Sequence, residues 1–282
     1  MNIAIVGLGL IGGSLAKAIS ARTSHTVLGL DTDADTIKQA LSLGAIKESI
    51  GISDLKRADV TFVCLFPETA KDFILSNAGS FAKGSIVADI CGVKNFIVND
   101  ATEALAAHGV SFVGTPPMAG REVAGFESAL ETLYDGASFI VTPIETTNRA
   151  ALDTIEALAL EIGFGRITVS TPHDHDVSIA FTSQLAHVVS GAYIKSPTLQ
   201  HENGFSAGSF LDLTRVAKLN EVMWTSLFSL NREPLLFELD TIITHLEQYR
   251  DALRQENYTE LKELLKEGRV LKEASLIKTK DK

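Results

Sequence analysis

Hydrophobic and polar positions change character once along the chain. Up to about residue 170, short apolar runs with no polar alternation (residues 3–6, 27–30, 60–65, 86–89, 110–114, 139–143 and 167–169) are separated by helical patterns such as 36–43, closed by Gly44, and 150–162. Runs of that length without alternation predict strands buried on both faces, as in a parallel sheet. Strand and helix in turn predict a doubly wound α/β sheet with right-handed crossovers, whose ligands lie beyond the carboxyl ends of its strands. The loops after residues 65, 89 and 114 are therefore the places for chemistry. Beyond the change only helical spacing remains. Leu235, Leu239, Ile242, Leu246, Tyr249 and Leu253 recur at steps of four and three, which predicts one long helix with an apolar stripe. A helical annex of about 110 residues has limited core of its own, so the stripe reads as a homodimer seam, against the plainer reading of a core helix. The tail from Lys272 is expected to fray.

Composition narrows the class without choosing a function. The 282 residues are 45% hydrophobic and 21% charged, enough for two domains with sizeable cores. A net charge of −10 disfavours nucleic acid as a partner. Cys64 and Cys91 are the only cysteines and read as buried thiols of a cytoplasmic protein. The apolar start has no basic leader and is broken by glycines, so neither a signal peptide nor a membrane association is expected.

The first apolar run leads straight into Gly7-Leu8-Gly9-Leu10-Ile11-Gly12, and Leu15, Ala18 and Ile19 then keep helical spacing. G-x-G-x-x-G between strand and helix is the context that makes the motif informative. Gly7 permits a tight turn, Gly9 lets backbone approach a pyrophosphate, and Gly12 lets the helix lie close to the strand. The second run ends at Asp31, placed to accept hydrogen bonds from ribose hydroxyls and to repel a ribose phosphate, which favours NAD over NADP. Leu65 and Pro67, at the end of the run stopped by Phe66-Pro67, are further candidates for cofactor contact. The expected division is a Rossmann-type dinucleotide-binding domain over 1–168 and an all-α substrate and dimerisation domain over 169–282.

Three more segments carry chemistry: Gly114-Thr115-Pro116-Pro117-Met118-Ala119-Gly120-Arg121-Glu122, then Thr182-Ser183-Gln184-Leu185-Ala186-His187, then Phe210-Leu211-Asp212-Leu213-Thr214-Arg215-Val216-Ala217 with Met223-Trp224 after it. In this order, and with the glycine loop, they resemble the prephenate and arogenate dehydrogenases of tyrosine biosynthesis over nearly the full chain. The resemblance implies NAD(P)-dependent oxidative decarboxylation of prephenate to 4-hydroxyphenylpyruvate, or of arogenate to tyrosine, in a tight dimer, with NAD the cofactor that Asp31 favours. It implies a general base from the histidine of an H-P-M-A-G segment, and a carboxylate held by the arginine of F-x-D-x-T-R, here Arg215. Thr115, His187 and Trp224 join Arg215 as candidate substrate contacts.

The chain departs from that pattern where the proton is taken. Pro116 stands at the histidine position, Gly92 stands where D-x-G-S-x-K has its serine, and S-H-L-P-H reads Ser183-Gln184-Leu185-Ala186-His187. Loss of a positioned base costs roughly 100- to 10,000-fold in rate. His187 or a desolvated Lys94 are the candidate replacements at the catalytic position of Pro116. The alternatives are a non-catalytic relative that binds NAD and ligand, and another β-hydroxyacid-type dehydrogenase, for which a lysine beside an apolar cleft segment is missing. Single residues have plainer readings as well. His187 suits a core position, Arg215 suits a pair with Asp212 three residues away, and a loop threonine such as Thr115 commonly caps its own turn. His173 and His175 read as part of a helix start and not as metal ligands.

Overall fold

The computed structural model describes residues 1–280. Its strands are β1 (Asn2–Val6), β2 (Thr26–Leu30), β3 (Glu48–Ser49), β4 (Val60–Val63), β5 (Ile86–Asp89), β6 (Ser111–Gly114), β7 (Ser138–Val141) and β8 (Arg166–Val169). Its helices are α1 (Leu10–Arg22), α2 (Ala34–Ser42), α3 (Pro67–Ser76), α4 (Val98–Ala106), α5 (Arg149–Glu161), α6 (Pro172–Ile179), α7 (Leu185–Tyr193), α8 (Gly208–Thr214), α9 (Glu221–Leu230), α10 (Arg232–Arg254) and α11 (Tyr258–Lys280). The chain divides into two compact units, Met1–Arg232 and Glu233–Lys282.

In the first unit six parallel strands lie in the order β3-β2-β1-β4-β5-β6. The order reverses between β1 and β4, which makes the glycine loop at the end of β1 the switch point of the sheet. The unalternated apolar runs now have a reason. Ile3, Ile5 and Phe62 point into one buried cluster, shared with Leu15 and Ile19 of α1 and Ile155 of α5. Ala4, Val6 and Val63 point into a second cluster on the other face, with Ala70 and Ile74 of α3 and Leu105 of α4.

The expectation for 139–143 and 167–169 needs a correction. β7 and β8 pair parallel with each other outside the six-stranded ladder. β7 instead runs antiparallel to the segment leaving β6: Thr142 N–H donates to Gly114 O at 3.0 Å, Ile140 N–H to Pro116 O at 3.4 Å, and Met118 N–H to Ser138 O at 3.0 Å. Pro116 and Pro117 contribute no N–H, so this ladder is thin, as befits prolines confined to edges.

From Pro172 the first unit is helical. α6 opens at Thr171, whose side chain accepts from Asp174 N–H, and a single π-turn over Ala180–Gln184 joins α6 to α7. In the second unit α10 and α11 are linked by Tyr249 Oη donating to Leu264 O at 3.1 Å. The turn between them puts Glu256 at φ 54, the only non-glycine residue in the left-handed region among the described residues. Leu246 and Leu253 of the predicted stripe are more than half exposed, whereas Leu235 is buried. Helix α11 extends through Lys280, and pairs such as Arg269–Glu273 at 2.7 Å and Lys266–Glu263 at 2.9 Å lie along it. Residues 281 and 282 lie outside the described residues. Among the described residues no helix is long and apolar enough to cross a membrane.

Candidate active site

The glycine turn is shaped by close backbone approach. Gly7 has φ +87, and a Cβ there would lie 2.5 Å from Cys64 O; one on Gly12 would lie 1.9 Å from Gly7 O. Around Gly9 nothing lies within 4 Å of the Cβ position, and no side chain caps α1 at that residue. The start of α1 at Gly9 is thus uncapped and open, an arrangement of helix N-terminus that suits a pyrophosphate, with Leu10, Ile11 and Gly12 as its first residues. Asp31 holds the turn from below: its Oδ2 accepts from Leu8 N–H at 2.6 Å and its Oδ1 from Asp33 N–H at 2.9 Å. Each carboxylate oxygen keeps a further lone pair for a ribose hydroxyl. Leu8 differs from its expected place, because its side chain is wholly buried and its N–H is spent on Asp31. It shapes the turn from within. Leu65 is half-buried with its Cδ2 against Gly7, and Pro67 is buried at the first position of α3.

Next along the strand ends stand β5 and β6. Asp89 and Lys94 form a fully buried ion pair. Cys91 N–H also donates to Asp89 Oδ2 at 2.9 Å, and Oδ1 has no partner. Lys94 therefore departs from the expectation of an available base: its ammonium is tied down and has no exposure. Thr115 departs too, since it is wholly buried and its hydroxyl donates to Asp89 O at 2.7 Å, joining the two loops. Pro116 is buried beside β7, its carbonyl taken by Ile140 N–H. A Cβ on Gly92 would make only an ordinary contact, 3.6 Å from Leu227 Cδ2 of α9. Burial pushes both thiols up, Cys64 and Cys91 alike, so neither is a ready nucleophile.

The helical segment faces these loops. His187 on α7 lies with its ring centroid 3.7 Å from that of Trp224 on α9, and its Nδ1 is 2.9 Å from Val216 O. A carbonyl only accepts, so Nδ1 carries the proton and Nε2 presents a lone pair. Burial holds the His187 pKa below its ordinary value, opposed by the bond to Val216 and by Glu122, with Arg215 lowering it further. Arg215 pairs with Glu122 on the loop leaving β6, not with Asp212, and its side chain is 62% exposed. A second bridge joins the first turn of α3 to α9, where Ser226 Oγ donates to Glu68 Oε2 at 2.6 Å.

Beneath lies a polar network that the sequence did not announce. The Asp176 carboxylate accepts Lys94 N–H at 2.7 Å and Asn95 N–H at 2.8 Å, and is 2.8 Å from His175 Nδ1. Asn231 donates to Asp176 O and to Gln184 Oε1, both at 2.8 Å, and Gln184 Nε2 donates to Leu227 O at 3.1 Å. The π-turn turns Gln184 inward to this network, and such turns often sit at functional sites. The His-Asp run thus does more than start a helix. Among the described residues no group of three or more His, Cys, Asp and Glu residues is arranged to hold a metal.

A glycine turn at the switch point of a parallel sheet, faced by a helical segment that brings an arginine, a histidine and a tryptophan to the strand ends, defines a dinucleotide-dependent oxidoreductase. The nucleotide-binding domain of prephenate dehydrogenase matches residues 15–168, and the dimerization domain of prephenate dehydrogenase matches residues 171–267. The chain belongs to the prephenate dehydrogenase family. It is 31% identical to a cyclohexadienyl dehydrogenase of Zymomonas mobilis over 95% of this chain and 93% of that one. Among solved structures it is similar to prephenate dehydrogenase from A. aeolicus in complex with hydroxyphenyl propionate and NAD+ (TM-score 0.87, 27% identity, 97% and 98% of the two chains). It is also similar to Synechocystis arogenate dehydrogenase (TM-score 0.83, 27% identity, 98% and 100%).

Proposed function

We propose that the protein catalyses NAD-dependent oxidative decarboxylation of a cyclohexadienyl acid, prephenate first and arogenate next. The observation that carries this reading is the convergence of Arg215, His187 and Trp224 with Glu122 on the loop leaving β6, at the same edge of the sheet as the glycine turn. When bound, NAD+ accepts a hydride from the carbinol carbon of the substrate. The cradle fits that cofactor through the unfilled space over Gly9 and the Asp31 carboxylate, which disfavours the ribose phosphate of NADP. Arg215 offers a guanidinium fork to a substrate carboxylate, and such an anion has to replace Glu122. Trp224 supplies a flat apolar wall for the ring. Loss of the ring carboxylate as carbon dioxide makes the product aromatic and drives the reaction forward.

The relatives support the substrate class, among them one solved with hydroxyphenyl propionate, a phenol bearing an acid side chain. We place the working division between the cofactor and substrate parts at 168/169, the protein in the cytoplasm, and the pair α10 and α11 in a homodimer. Pro116 and Gly92 favour a second reading, a relative that binds NAD and acid without turnover. Absorbance of reduced nicotinamide on adding prephenate or arogenate separates the two: turnover supports the enzyme, and a melting shift with no reduced nicotinamide supports the binding protein.

A further inference from the structure

We propose that His187 is the catalytic base of this chain, taking through Nε2 the proton that the usual histidine at position 116 would take. The inference rests on the oxidative decarboxylation reading and names the group that does its proton work. Four observations carry it. Pro116 has no titratable side chain, and its carbonyl is engaged by Ile140 N–H. Lys94 is locked to Asp89 with no exposure. Val216 O fixes the His187 tautomer with the lone pair on Nε2. The imidazole also lies against Trp224, one turn of α9 from Leu227, the residue that faces Gly92 on the β5 loop. The place of the missing serine and the ring of His187 therefore border one helix. The charged groups that act on His187 are Glu122 and Arg215, so the base stands beside the residue that binds the acid.

The step balances. The substrate hydroxyl gives its proton to Nε2 as the carbinol carbon gives its hydride to NAD+, leaving a cyclohexadienone. The bond to the ring carboxylate then breaks, carbon dioxide departs, and the electron pair enters the ring. The former hydroxyl oxygen becomes a phenolate and recovers the proton from the His187 imidazolium. Protons taken and returned cancel, and the net change is acid plus NAD+ to phenol, carbon dioxide and NADH.

Two readouts test this, one of them free of activity. Trp224 is the only tryptophan and lies against the imidazole, so its fluorescence reports the protonation of His187. Quenching should develop as pH falls, with a midpoint below the ordinary histidine value of about 6.5, and should vanish in His187→Asn. The same midpoint should govern the acidic limb of kcat/KM for prephenate. His187→Asn should lower kcat roughly 100- to 10,000-fold while an acid still shifts the melting temperature. In a Gly92→Ser/Pro116→His background, where position 116 offers a base, the loss from His187→Asn should shrink below about tenfold. A purely structural or binding role predicts the same loss in both backgrounds and overturns the inference. Turnover retained in His187→Asn overturns the base alone. No turnover in the wild-type protein on either acid overturns the functional reading and the base with it.

Discussion

Replacing Lys94 with methionine separates a structural strut from a catalytic amine. The side chains of Lys94 and Asp89 have no exposure, and among the described residues Lys94 is the cation paired with the Asp89 carboxylate, whose Oδ1 is unpartnered and whose Oδ2 also accepts from Cys91 N–H. Methionine fills most of the lysine volume but strands the carboxylate in the interior. Breaking a buried pair from one side costs about 3–5 kcal/mol, whereas removing both charges is often nearly neutral. Lys94→Met should therefore destabilise by about 3–5 kcal/mol, and Asp89→Asn/Lys94→Met should recover most of it, since the amide oxygen still accepts from Cys91 N–H. At roughly 2–4 °C per kcal/mol for a chain of this size, thermal unfolding followed by circular dichroism resolves the difference. A cost below about 1 kcal/mol, or a fall in kcat with stability kept, would mean that the ammonium is free to do chemistry and that the pair does not hold the β5 loop.

Gly9→Ala should fold with stability within about 0.5 kcal/mol of wild type, because no atom lies within 4 Å of the added methyl, yet lose the NAD-induced melting shift; an unchanged shift would place the cofactor elsewhere. Arg215→Ala should raise KM for the acid about 10- to 100-fold, the worth of a charged hydrogen-bonded contact, read from initial rates. Glu122→Gln frees an exposed pair worth at most about 1 kcal/mol, so KM should fall no more than about fivefold. Glu122 raises the His187 pKa, so the same change should move the acidic limb of the rate profile to lower pH, the neutral base surviving further into acid. Glu256→Gly relieves a left-handed φ of 54 and should stabilise the protein by about 0.5–1 kcal/mol, read by urea unfolding.

What could be read in advance follows from how local its cause is. The glycine turn was legible because strand, turn and helix are adjacent in the chain and because Gly7 and Gly12 answer to steric contacts nearby while Gly9 keeps its surroundings open. Asp31 was legible as an acid at the second strand end, but not as the acceptor of Leu8 N–H. The partner of Arg215 was illegible, since Glu122 is 93 residues away and a helical rule points to Asp212. Asp176 looked like a first-turn acid on a short helix; its role as acceptor for Lys94 and Asn95 depends on two segments meeting more than 80 residues apart in sequence. Burial withdrew Thr115 and Lys94 from the cleft, and burial is a property of packing that residue type alone does not disclose. The prolines at 116 and 117 spoke of missing side-chain chemistry, while their effect on the ladder with β7 waited for the partner strand.

Initial rates of nicotinamide reduction by the wild-type protein, with prephenate and arogenate each offered NAD+ and NADP+, bear on all of these residues at once. Reduced nicotinamide should form with NAD+ and prephenate, accompanied by an equal amount of carbon dioxide, and NADP+ should serve less well because Asp31 faces its ribose phosphate. If neither acid reduces either cofactor while NAD still raises the melting temperature, the chain binds without turning over, and His187 has not taken the place that Pro116 left vacant.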